Sequence, residues 1–97
     1  MKSFLLMTGS GPIVILTSYS FIEDTALLKQ LHLKGIDKFI AYEVPIDLAR
    51  ARYGGHFNAV MNDWLETDDL RVLDFNGERA FGLFALSELG ESYIHEP

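Results

Sequence analysis

Two apolar, β-rich runs, Phe4 to Thr8 and Ile13 to Thr17, flank Gly9-Ser10-Gly11-Pro12 and predict a β-hairpin. Centring its turn on Ser10-Gly11 sets Leu6 opposite Ile15 and Leu5 opposite Leu16. Both faces of that ribbon are then apolar, as in strands covered on both sides. Downstream, Leu27, Leu28 and Leu31 recur at helical spacing behind Asp24, a predicted N-cap. Gly35 closes that helix in a Schellman arrangement with Ile36 folded back on Leu31. Lys38 to Val44 reads as a strand ended by Pro45, which lacks a ladder donor.

Asp47 is the expected cap of a short helix through Tyr53, stopped by Gly54-Gly55. The next segment, 56–66, tolerates either reading. Phe57, Val60, Met61, Trp64 and Leu65 all match a helical template, which tips the reading towards helix, while 56–62 also fits a strand after a glycine break. Leu70 to Phe75 and Glu78 to Phe84 flank Asn76-Gly77, the dipeptide that a type I′ turn favours. That second hairpin sets Asp74 opposite Arg79, Val72 opposite Phe81 and Leu70 opposite Leu83. The expected fold is α+β: a small, largely antiparallel sheet built from two β-hairpins plus a connecting strand, packed against one to three helices.

A chain of 97 residues predicts one domain over 1–97, with 86–97 as a loosely ordered tail. A composition 48% hydrophobic and 12% aromatic predicts a folded chain rather than a disordered one. The formal charge of −6 repels a phosphate backbone, so nucleic acid is not an expected partner. The absence of cysteine removes thiolate metal sites, disulfides and a cysteine nucleophile, and fits a reducing, cytoplasmic setting. The apolar run after Met1 is cut at Gly9, far short of a signal-peptide core, and no run reaches the ~20 residues that span a bilayer. No membrane role is expected.

Candidate chemistry is sparse. Thr8-Gly9-Ser10-Gly11 lacks the lysine of a phosphate loop and the following helix of a dinucleotide site, so it reads as a plain turn. His32, His56 and His95 have no local ligand spacing, and no metal or other cofactor is expected. The carboxylates Asp63, Glu66, Asp68 and Asp69 lack the alternation and glycine of a calcium loop. Trp64 and Phe57, Phe75, Phe81 and Phe84 read more simply as core than as a stacking platform. Arg50, Tyr53 and His56 stand at a break between elements, where binding residues favour loops on rigid scaffolds. They form the candidate ligand-binding set, with Asp63 or Glu66 as a carboxylate partner; no catalytic set emerges.

The leading expectation is therefore a small interaction or regulatory module, not an evident enzyme. It has a protein partner or self-associates as a homodimer, because the apolar faces of both ribbons exceed what the assigned helices cover. The competing class is a small-ligand-binding protein or enzyme using Arg50, Tyr53 and His56.

Overall fold

The computed structural model describes residues 1–65, 69–74 and 84–96. Strands β1 (Lys2–Thr8) and β2 (Gly11–Thr17) form the first hairpin, and helix α1 (Thr25–Leu33) follows. Next come β3 (Phe39–Val44), α2 (Ile46–Tyr53), α3 (Gly55–Asn62), β4 (Leu70–Asp74) and β5 (Ser92–His95). Among the described residues the strands form one antiparallel, five-stranded sheet in the order β4-β2-β1-β3-β5. The fold is α+β, as the periodicities predict, and the sheet is open.

Alternation along the strands sorts the core into two layers. Phe4, Leu6, Ile15, Phe39, Ala41 and Leu70 pack with Ile22 and with Leu27 and Leu31 of α1. On the other face, Leu5, Val14, Leu16, Val44 and Leu73 pack with Ala49 and Tyr53 of α2, Phe57 of α3, and Phe84. Segment 55–62 is thus helical and helps to cover the second face from within the chain. The same face stays bare at Ile40 and Ile94, so the chain covers it in part.

Helix α1 follows its local signals closely. The Asp24 carboxylate accepts from the Ala26 amide at 2.9 Å. At the other end the Ile36 amide donates to Leu31 O and the Gly35 amide to His32 O, both at 2.9 Å, with Gly35 at φ +81°. These are the two bonds of a Schellman motif. Pro45 ends β3 and at once begins α2, where the Ala49 amide donates to its carbonyl at 3.0 Å.

Three expectations need correction. The first hairpin turns at Gly9-Ser10, pairing Leu6 with Ile13 and Leu5 with Val14. Thr8 draws the turn there, its Oγ1 accepting from the Ser10 amide at 3.1 Å and donating to Gly11 O at 2.7 Å. The slip is two residues, so every side chain keeps its face. Asp47 is no cap: Pro45 holds that position, and Asp47 lies within the first turn of α2, where a carboxylate still complements the helix dipole. Finally, the supposed loose tail carries a 3-10 turn (Leu86–Glu88) and β5, which pairs Tyr42 with Ser92 through Phe39 with His95. The predicted turn at Asn76-Gly77 and its second strand lie outside the described residues, apart from Phe84.

Candidate functional site

Of the three residues singled out by sequence, the fold brings two together. Gly54, at φ +53°, breaks the chain between α2 and α3 and leaves Tyr53 and His56 on either side of the bend. Their rings lie 6.3 Å apart. Tyr53 is buried, and its hydroxyl is 3.3 Å from the Asp74 carboxylate, to which it donates. His56 donates from Nε2 to the Leu73 carbonyl at 2.6 Å, which fixes the proton on that nitrogen. Both side chains therefore tie the helices to β4.

Arg50 turns elsewhere, to Asp47 at 3.5 Å and over the Phe57 ring at 5.4 Å. The backbone carbonyl of Asp63 accepts from Arg71 at 2.6 Å. Glu66 lies outside the described residues. The carboxylate beside Tyr53 is Asp74, which sequence reasoning had assigned to cross-strand pairing. Among the described residues, no group of three or more His, Asp or Glu is placed to hold a metal.

A second polar cluster has no local sequence signature. Thr17 is buried and donates to Asp69 O at 2.6 Å. The Asp69 carboxylate accepts from Ser18 at 3.2 Å and from Gln30 at 3.3 Å, and Gln30 also donates to the Tyr19 hydroxyl at 3.3 Å. Partial burial first, and then the charges of Asp69 and Asp24, push the Tyr19 phenol above its ordinary value. This network clips α1 to the ends of β2 and β4. Its contacts span 51 and 52 positions of chain between strands, so spacing alone offers no clue to them.

Two surface features remain open to a partner. The first is the β5 edge. Ile94 lies directly opposite Ile40 and both are exposed, 63% and 37%, on the face that α2 and α3 cover elsewhere. On the opposite face a shallow depression of about 320 Å³ is lined by Glu23, Glu43, Glu91 and Tyr93. Lys2 engages Glu43 there. Among the described residues β5 has one neighbour, β3, so its outer backbone groups face no strand.

The second is a cleft of about 850 Å³ between the β1–β2 turn and the connection from α1 to β3. Ile13, Ile36 and Val72 line it together with Ser10, Lys34, Asp37 and Lys38. It reaches the upper part of the volume range usual for small-molecule sites. Thr8-Gly9-Ser10 is therefore both a hairpin turn and one wall of a cavity. Among the described residues no helix is long and apolar enough to cross a membrane. Comparison with protein-family models, with curated proteins and with solved structures finds no match.

Proposed function

We propose that this protein is a non-enzymatic interaction module that receives an extended segment of a protein partner as an added strand along β5. The exposed Ile40–Ile94 pair beside an open strand edge carries this reading. Strand addition draws affinity from main-chain hydrogen bonds and specificity from alternate side chains. An added strand would send one set of side chains over Ile94 and the other towards Glu91 and Glu23. The complementary segment is thus apolar at alternate positions and basic between them. The net charge of −6 favours the same sign of partner.

A synthetic peptide alternating valine and lysine tests this. Binding is expected to slow hydrogen exchange at the β5 amides, and Ile94→Lys is expected to abolish that protection. A peptide with glutamate in place of lysine should bind far more weakly. Equal binding of both peptides, or protection elsewhere on the chain, would refute the reading.

A further inference from the structure

The cleft between the β1–β2 turn and the start of β3 has chemistry of its own, distinct from the β5 edge. Its floor is apolar: Ile13, Ile36 and Val72 are partly buried and pack against the α1-side core. Its rim is cationic. Among the described residues, Lys2, Arg50 and Arg52 are spent on ion pairs and Arg71 donates to a carbonyl. Among the described residues Lys29, Lys34 and Lys38 have no such partner, and of these three Lys34 and Lys38 line this cleft. In a chain of net charge −6, two unspent ammonium groups on one cavity are a local reversal of sign.

The acidic member of the rim does not cancel them. Asp37 pairs with His32 across the end of α1, and this holds its carboxylate towards the helix. The Schellman bonds of Gly35 and Ile36 engage the carbonyls of His32 and Leu31, so these carbonyl ends of the helix dipole are already occupied. Opposite the lysines stands Ser10. Its backbone amide is engaged by Thr8, and its side chain is exposed at the tip of the turn.

We infer that this cleft binds a small amphipathic organic anion, an apolar body seated on Ile13, Ile36 and Val72 with a carboxylate held by Lys34 and Lys38. An apolar floor fixes the body by removing its surface from water, and a few convergent polar groups fix its orientation. Neither element suffices alone. Inorganic phosphate would find two solvated lysines, and an uncharged chain would find a shallow, half-open floor. The volume accommodates a drug-sized molecule.

The test uses the full chain and decanoate, followed by amide chemical shifts. Decanoate is expected to move the resonances of Gly9, Ser10, Gly35, Ile36 and Lys38 in one saturable transition. Inorganic phosphate at equal concentration should leave them in place, and decylamine should bind at least tenfold more weakly than decanoate. The double variant Lys34→Gln, Lys38→Gln alters exposed side chains only, so its melting temperature is expected to stay close to wild type while decanoate affinity falls about tenfold.

Equal affinity for decanoate and decylamine, or undiminished affinity in the double variant, would overturn the inference. So would shifts centred on Ile40 and Ile94. Co-sedimentation with phosphatidylglycerol vesicles that depends on the same lysines, without saturable decanoate binding, would assign the surface to a membrane instead and equally overturn it.

Discussion

His56 and Leu73 are joined by a 2.6 Å hydrogen bond from the imidazole Nε2 to the backbone carbonyl, and this fastens the start of α3 to β4. The histidine is exposed, so water can replace it at the carbonyl. His56→Ala is therefore expected to cost about 0.5–1.5 kcal/mol. One residue further on, Phe57 is 1% exposed, and Phe57→Ala is expected to cost about 3–5 kcal/mol through the cavity it leaves. Urea denaturation of both variants checks the order; comparable losses would mean that His56 does more than pin the helix.

Gly35 and Gly55 should respond to alanine in opposite directions. Gly35 sits at φ +81°, where a Cβ is strained although the space around it is open. Gly35→Ala is expected to destabilise by about 1 kcal/mol. Gly55 is the first residue of α3, has no positive φ and meets nothing within 4 Å, so Gly55→Ala is expected to stabilise by up to ~0.5 kcal/mol. Thermal melts of the pair decide it, and a stabilising Gly35→Ala would contradict the helix-end geometry.

Glu88 supplies a pH dependence with a defined sign. The Ala85 amide donates to its carboxylate at 3.0 Å, and Arg52 follows with contacts of 2.8 and 3.4 Å; together these hold its pKa below the ordinary value of 4.5. A carboxylate with a depressed folded-state pKa stabilises the fold fully above its unfolded pKa. That contribution is lost as pH falls through the folded value. Glu88→Gln is therefore expected to be less stable than wild type at pH 7, with the gap closing below pH 4.5. Denaturation at a series of acidic pH values measures this, and a gap that widens on acidification would contradict the assigned contacts.

What the sequence made legible was what neighbours along the chain determine. Asp24 with Gly35 and Ile36 bracket α1 through bonds of short span, and the Schellman end follows from one glycine and the apolar residue after it. The α3 pattern was legible too, because Phe57, Val60 and Met61 share a helical face. Long-range choices were not. The hairpin register turned on a single Thr8 hydroxyl, and β5 exists because Ser92 to His95 meet β3 some fifty positions earlier. In the candidate site, the closeness of Tyr53 and His56 followed from their spacing across Gly54. That their polar atoms would be taken up by Asp74 and Leu73 depended on where β4 docks. The lysine-rimmed cleft was hidden for the same reason, since its walls join a hairpin turn to the far end of α1.

Net charge opposes two copies sharing the β5 edge. In a symmetric antiparallel pairing each side chain keeps its own face, so Ile94 meets Ile94 of the other copy, Tyr93 meets His95 and Ser92 meets Glu96. No like charges then stand directly opposite one another, so the mutual repulsion of two copies at −6 each is what opposes the pairing. Wild-type protein is therefore expected to sediment near its chain mass of 11.0 kDa at micromolar concentration, despite exposed Ile94. Glu91→Lys brings the net charge of each copy from −6 to −4, so the association constant is expected to rise. The gain should shrink at high salt. Sedimentation equilibrium of both proteins at low and high ionic strength reads all three effects. A wild-type dimer that Ile94→Lys dissolves would make a second copy of this chain the natural occupant of the edge.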